Sequence, residues 1–504
     1  MIIDDQHYDI IIVGTGAGGG TLAQKLAPTG KRILILERGD RMALSEQNRA
    51  DVDVFKKERY HAPEQWYDQE GEPFSPQTNY AVGGNTKIYS ASLMRMRDRD
   101  FTAVPHQEGI APEWPFQYAD LEPYYTAAEQ LYQVHGSATG DPTEPEHSGE
   151  YPFPAIDHEP LMQPIIEGLS HQGLNPAPLP LSLTRQDDDP TGDAEVFGID
   201  LALKHDNVTL KTSAQVVALH TDPSGKAIKG VQAEVGRQTI MFSADIVVLA
   251  CGAVNSAMLL LDSANDCHPH GLANSSDLVG RHLMKQKLTV IVEKAAGKNS
   301  GEFPRTVSVN DFYWGNRDYE YPMGHIENSG GLLRDIVFAE SPPLLSVLAQ
   351  VLPGNRLMGL AVKSIGWWAQ TGMLPDPNNR VQRLKGKLRF EFEPNNFEAH
   401  DRLVYQWIEV LKKLELTTDT VKSNSIFPRG EAPLSVVGYQ LGTCRMGTDP
   451  TTSVLDTHCR THDIDNLYVV DGSFFPSCPA VGPALTIMAN ALRVGDHLCD
   501  RLKG

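Results

Sequence analysis

Residues 8–40 read YDIIIVGTGAGGGTLAQKLAPTGKRILILERGD, and no other stretch limits the fold so tightly. An apolar run, Ile10 to Val13, leads straight into Gly14-Thr15-Gly16-Ala17-Gly18-Gly19. A helix-compatible segment follows, and a second apolar run, Ile33 to Leu36, closes on Glu37. Strand, glycine turn, helix, strand and acid come in the order of a dinucleotide-binding βαβ unit. Gly14 permits the tight turn, Gly16 lets the backbone approach a pyrophosphate, and Gly19 lets helix and strand pack closely. The helix start near Ala17 offers unpaired N–H groups and partial positive charge to phosphate. Glu37, with Arg38 beside it, stands where an acid accepts from a ribose diol.

With 504 residues the chain exceeds one simple core, so two or three domains are expected. No window reaches about 18 uninterrupted apolar residues, so no membrane span is expected. The N-terminus runs directly into the first strand without room for a signal peptide, and the expected location is cytoplasmic. A net charge of −20 argues against nucleic acid and anionic membranes as partners. The six cysteines, Cys251, Cys267, Cys444, Cys459, Cys478 and Cys499, contain no CxxC pair. Neither a disulfide framework nor a metal site is expected from them.

Proline-rich acidic stretches at 141–154 and 175–193 mark surface excursions, and insertions are expected around 41–75 and 135–195. Residues 208–235 read as strands joined by the turn signal Asp222-Pro-Ser-Gly. Residues 244–254 read as a buried strand, a glycine turn containing Cys251 and Gly252, and the start of a helix. Residues 285–430 change character, with strands, prolines and aromatics. The end of the chain then returns to the first pattern: a strand closing on Asp471-Gly472 and an amphipathic helix over 485–501.

Taken in order, several segments resemble the glucose–methanol–choline (GMC) oxidoreductases, a family of FAD-dependent enzymes. They are the N-terminal fingerprint, VGGNTKIYS at 82–90 with LMRMRDRDF after it, WPFQYADLEPYY at 114–125, LACGAVNSAMLLL at 249–261, and the block GTCRMGTDPTTSVLD…NLYVVDGSFFP…ALTIMANALR. The resemblance spans nearly the whole chain and is closest to a bacterial branch of sugar and polyol oxidoreductases. It implies an α/β fold: a discontinuous Rossmann-like FAD-binding domain over 1–284 and 436–504, and a substrate domain over 285–435 with a mainly antiparallel sheet. It implies adenosine diphosphate at Gly14, Gly16, Ala17, Gly19, Glu37 and Arg38, with adenine held by the main chain of Val216. Gly83, Gly84, Asn85 and Thr86 are implied to pack on the flavin. Asp471 and Gly472 are implied near the ribitol phosphate, backbone groups around Pro483 and Ala484 at the pyrimidine end, and Cys251, Gly252 and Thr486 as further cofactor-binding residues. The flavin loop has no histidine, so a non-covalent FAD is expected.

Two positions depart from the family pattern. Alcohol-oxidising members carry a histidine in HxxGT and a histidine or asparagine before a C-terminal proline. Here these places hold Tyr439 and Gly482. Removing a hydride from a carbinol requires the hydroxyl proton to leave as well, and a phenol with an ordinary pKa of about 10 is a poor base at neutral pH. Lys285-Gln286 replaces an Asp-His pair found in many relatives.

Three explanations stand open. His325 and Glu327, on one face of a strand by alternation, supply the base. Alternatively Tyr439 acts itself, ionised by a cation such as Lys87 or Arg445. In the third, the chemistry is not alcohol oxidation. His325 and His400 also read as structural histidines, Trp367 and Trp368 as a pair of which only one can face a pocket, and Cys444 and Cys478 as inert fillers. The expected function is oxidation of a CH–OH group of a sugar, glycoside, polyol or other alcohol, with hydride transfer to the flavin and oxygen, a quinone or a redox protein as acceptor. The alternative is a GMC-fold flavoprotein with diverted chemistry, such as a lyase or light-dependent reaction on an apolar acid, or a silent FAD binder.

Overall fold

The computed structural model describes residues 1–42, 62–89, 91–186, 189–294, 305–330, 364–417, 427–431, 434–435 and 439–503. Most of the insertion expected around 41–75 lies outside them.

The first apolar run belongs to a strand over Ile2–Val13, and Ile10, Ile11 and Ile12 are completely buried. Both faces of this strand are covered, which is why its sequence is continuously apolar rather than alternating. It pairs in parallel with Ile33–Leu36 on one side and Gln238–Leu249 on the other. The seven-stranded sheet runs Val208–Lys211, Ile33–Leu36, Ile2–Val13, Gln238–Leu249, Ile228–Val235, Ala214–Thr221, with Leu467–Val469 added in parallel to Gln238–Leu249. The turn signal at Asp222 joins the antiparallel strands Ala214–Thr221 and Ile228–Val235, and the Asp222 carboxylate accepts from the Lys226 N–H at 3.1 Å. The helices Ala17–Leu26 and Ala484–Arg501 pack against each other, so both ends of the chain build this unit. Four parallel strands end at Gly14, Glu37, Cys251 and Asp471, and their carboxyl edge is where an open α/β sheet places its ligand.

A second sheet has six strands in the order Phe427–Glu431, Gln286–Lys294, Ser364–Gly372, His325–Gly330, Val307–Val309, Pro176–Pro178, with every pair antiparallel. Alternation divides its residues. Ile291, Val307, Ile326, Trp367 and Ala369 form one apolar face, sealed by Leu403 and Trp407 of the helix Phe397–Thr417 and by Ile165 and Leu169 of Gln163–His171. The opposite face carries Gln286, His325, Glu327, Trp368 and Gln370. The tryptophan pair splits accordingly. Trp367 is buried edge-on to Trp407 at 4.8 Å, whereas Trp368 lies under the Arg305 guanidinium at 4.3 Å. His400 sits in the first turn of the long helix, between the hydroxyls of Thr289 and Thr371.

A small sheet of Arg380–Leu384, Lys387–Glu391, Trp66–Tyr67 and Pro73–Phe74 adjoins the first, with Trp66 stacked on Phe390 at 5.2 Å. No helix among the described residues is long and apolar enough to cross a membrane.

Candidate active site

A cavity of about 740 Å³ opens along the carboxyl edge of the first sheet. Its floor is the glycine turn. Gly14 has φ +101°, and a Cβ there would stand 2.4 Å from the Ala250 carbonyl oxygen, so only glycine makes this turn. Gly84 approaches from the far side, where an added Cβ would lie 3.2 Å from the Gly16 Cα. Between them the helix Ala17–Leu26 begins with Gly16 at its N-cap and no side chain bonded to its first N–H groups. Two bare backbone segments and an uncapped helix end fit a pyrophosphate.

Glu37 and Arg38 line one end of the cavity. Glu37 accepts from the Thr15 N–H (3.1 Å) and hydroxyl (2.6 Å) through Oε2, and from the Gly39 N–H (2.9 Å) through Oε1. Burial raises its pKa, opposed by these donors. Arg38 forms a bidentate pair with Glu64 at 3.0 Å and stacks over Tyr80, whose hydroxyl also donates to Glu64. Val216 lies at this same end.

Farther along, the wall holds Asn85, Thr86, Cys251, Gly252, Asp471 and Gly472. Asp471 accepts from the N–H and hydroxyl of Ser473 and from the Gly252 N–H and the Ser256 hydroxyl. Its pKa is raised by burial, against those four bonds. The cavity then reaches Pro483, Ala484 and Tyr439. Three expected cofactor residues lie behind the lining. Gly19 packs under the turn, Gly83 donates its N–H to the Thr15 hydroxyl at 3.0 Å, and Thr486 bonds to the Tyr125 hydroxyl at 2.8 Å.

The two substituted positions are neighbours. A Cβ built on Gly482 would lie 4.0 Å from the Tyr439 hydroxyl and 3.8 Å from the Ser92 carbonyl oxygen. The segment bearing Gly482 is fastened to the second sheet, since the Gln286 amide nitrogen is 2.9, 2.8 and 2.7 Å from the carbonyls of Pro479, Ala480 and Val481. His325 and Glu327 share a face, as alternation required, but are buried in that sheet rather than lining the cavity. Of the two cations considered for Tyr439, Lys87 is held by carboxylates and Arg445 meets a main-chain carbonyl. Lys87 pairs with Asp193 at 2.7 Å and Glu195 at 2.8 Å, and the Arg445 Nε donates to the Thr452 carbonyl at 2.8 Å. Burial pushes the Cys478 thiol up to about 12 and raises that of Cys444 as well, consistent with inert fillers.

The sequence reading passed over Thr15, Glu64, Tyr80 and Tyr89, which line the cavity. Thr15 was visible as the residue between two glycines of the turn. Glu64 reaches the cavity only through tertiary packing.

A Rossmann-type sheet with a glycine turn at its carboxyl edge, an acid after its second strand and a second sheet against the far end fits a nucleotide-dependent oxidoreductase. Sequence comparison agrees. A profile described as GMC oxidoreductase matches residues 397–491, and one described as NAD(P)-binding Rossmann-like domain matches residues 12–62. The chain is 28% identical to 6'''-hydroxyparomomycin C oxidase of Streptomyces lividus, covering 99% of this chain and 92% of that protein. It is 25% identical to the fructose dehydrogenase large subunit of Gluconobacter japonicus, with 98% of each covered. Among solved structures, a pyridoxine 4-oxidase from Mesorbium loti superposes with TM-score 0.71 at 18% identity, over 97% of this chain and 99% of that one. An Aspergillus oryzae RIB40 formate oxidase variant gives 0.73 at 16% identity, over 99% of each. The GMC oxidoreductase match at residues 397–491 and relatives aligned over nearly the whole chain support membership of the GMC oxidoreductase family.

Proposed function

We propose that this enzyme oxidises a CH–OH group of a sugar, glycoside, polyol or related alcohol, with Tyr439 and Gly482 at the reacting position. The observation that carries the reading is one continuous cavity, running from the glycine turn and Glu37 past Asp471 to Pro483, Ala484 and Tyr439. FAD, when bound, supplies the acceptor for the carbinol hydride. On this reading the chain divides into FAD-binding segments over 1–284 and 436–504 and a substrate segment over 285–435. The ADP portion lies on Gly14, Gly16 and Ala17, with Glu37 at the ribose, and the flavin end lies at Asn85, Thr86, Pro483 and Ala484. The flavin is held without a covalent bond.

Tyr439 offers a hydroxyl to orient and polarise the substrate oxygen, and Gly482 leaves the space that hydroxyl occupies. Relatives named 6'''-hydroxyparomomycin C oxidase, fructose dehydrogenase large subunit and 2-methyl-1,2-propanediol dehydrogenase support that range of alcohols.

The test is anaerobic reduction of the purified holoenzyme by a panel of sugars, amino sugars, polyols and aliphatic alcohols, followed at the flavin absorbance. Bleaching by polyhydroxylated substrates is the expected result. An intact flavin that no alcohol bleaches would favour diverted chemistry.

A further inference from the structure

Where Gly482 stands beside Tyr439 depends on how residues 477–482 are held, and this segment has no main-chain ladder of its own. Pro479 and Pro483 bring no N–H, and among the described residues Ala480, Val481 and Gly482 donate to no main-chain carbonyl. Resting on the reaction proposed above, we infer that Asp100, acting through Tyr313, is a positioning residue for this segment. Ionised, Asp100 holds Ala480, and with it Gly482, in place; protonated, it loosens that hold.

Side chains from three other segments satisfy the polar groups of this one. The Trp114 indole N–H donates to the Ser477 hydroxyl at 2.9 Å, and the Gln286 amide nitrogen faces the carbonyls of Pro479, Ala480 and Val481. The Ala480 N–H donates to the hydroxyl oxygen of the buried Tyr313. Trp114 and Gln286 carry no charge at any ordinary pH. Tyr313 differs from them in being bonded to an ionisable group, since its hydroxyl donates to Asp100 Oδ2 at 2.7 Å. The same oxygen accepts the Arg97 N–H at 2.8 Å, which fixes the carboxyl against the start of the short helix Asp98–Phe101.

The direction of these bonds gives Asp100 its leverage. A carboxylate can only accept, so the Tyr313 hydroxyl directs its one hydrogen to Asp100 and its oxygen is left to accept from Ala480. Donation to a charged acceptor also polarises the phenol, which strengthens the bond from Ala480. A protonated Asp100 carries an O–H of its own, which can donate to the phenol oxygen and compete there with the Ala480 N–H. Burial pushes the Asp100 carboxyl up to about 6, against the opposing pull of Tyr313 and Arg97. The change of state therefore falls just below neutral pH.

Asp100, His106, Tyr313, Cys478 and Ala480 meet around a cavity of about 30 Å³, about the room of one water, so the carboxyl can gain a proton without displacing a side chain. The charged and titratable groups facing Asp100 are Arg97 and Arg99 on its own segment, Tyr313, His106 from the strand Val104–His106, and Cys478 of the held segment. Burial keeps His106 down at about 4, pushes Cys478 up to about 12 and raises Tyr313. Arg97 stays charged despite its burial because Asp141 and Glu144 lie beside it. None of these four changes charge between pH 5 and 7 as Asp100 does.

Two measurements on the holoenzyme test this. Hydrogen exchange, read by mass spectrometry on the peptide holding Ala480, Val481 and Gly482, gives the protection of these amides relative to an unstructured chain. Y313F is expected to lower that protection about tenfold, the scale for a buried N–H left without its acceptor, with flavin content near the parent's. In the parent, protection is expected to be severalfold lower at pH 5 than at pH 7.5. In D100N, whose amide oxygen accepts from Tyr313 at every pH, it is expected to stay level. Parent-like protection in Y313F, or the parent's fall at pH 5 persisting in D100N, would overturn the proposal. This readout needs no substrate, so its failure is distinct from failure of the proposed reaction. With an alcohol that bleaches the flavin, kcat of the parent is expected to fall severalfold below pH 6 with KM little changed, and kcat of D100N to hold. An acidic limb that survives in D100N would show that Asp100 does not position the reacting group.

Discussion

A side chain begun at residue 482 would point into the space that the Tyr439 hydroxyl already borders, so the two departures from the family pattern answer each other. An alanine at 482 meets only ordinary van der Waals contacts, at 3.8 and 4.0 Å, whereas the further atoms of an asparagine must displace Ser92 or Tyr439. Gly482→Ala is therefore expected to retain kcat within a few-fold and Gly482→Asn to lose most of it, with FAD bound in both. On the proposed reading Tyr439→Phe removes a donor to the substrate oxygen, and a kcat loss of about 10²-fold is expected, the usual scale for such a donor. A phenylalanine variant with the parent's kcat would show that Tyr439 only fills volume. Tyr439 and Gly482 were legible in the sequence because each stands at a fixed offset within a recognisable motif. Gln286 was not, since its role depends on contacts between segments more than a hundred residues apart. The alternation of His325 and Glu327 gave their shared face but not their distance from the cavity, which the packing of the second sheet sets.

Between elements, the decisive contact is that of the second sheet with the segment carrying Gly482. At the end of Ser364–Gly372, a Cβ on Gly372 would stand 2.0 Å from the Cys478 carbonyl oxygen, closer than any real contact. Only glycine lets the strand lie against residues 478–482, and Gln286 then ties the same segment down from the adjacent strand. Gly372→Ala must push strand and loop apart, at a cost of about 1–3 kcal/mol for overpacking. The expected outcome is a Tm several degrees lower and a clearly reduced kcat, with flavin absorbance per protein near that of the parent because the phosphate cradle is remote. A variant indistinguishable from the parent in both would mean that this contact yields easily and does not set the position of Gly482. Continuous apolar runs announced the covered parallel strands, and the family resemblance implied the antiparallel second sheet. Neither announced where the two sheets meet, because that junction is made by a glycine and by main-chain carbonyls that no periodicity reveals.

Over the whole molecule, buried ionisable groups give stability a directional dependence on pH. Glu293 lies in the sealed face of the second sheet with the Trp367 indole N–H (2.9 Å) as its one hydrogen-bond partner among the described residues, and burial raises its carboxyl to about 8. The folded state therefore holds a proton that the unfolded chain has lost, so stability falls as pH rises toward 8. Asp100, raised to about 6 by burial, acts in the same direction at lower pH. His106, His282 and His400 are lowered by burial to about 4, 4 and 3, and their contribution rises with pH until the ordinary imidazole range is passed. Glu122 and Glu327, held down at about 2, lose their contribution only in strong acid. The opposing terms overlap below pH 6.5, and of these groups Glu293 alone titrates above it. Stability is thus expected to decline by about 2 kcal/mol between pH 6.5 and 8, from roughly 1.4 kcal/mol per pH unit. Glu293→Gln keeps an oxygen for Trp367 and carries no titrating proton, so its Tm is expected to stay level over that window and to exceed the parent's at pH 8. Thermal melts of the two holoenzymes across pH 5.5–8.5 decide the matter, and parallel declines would assign the titration to another group.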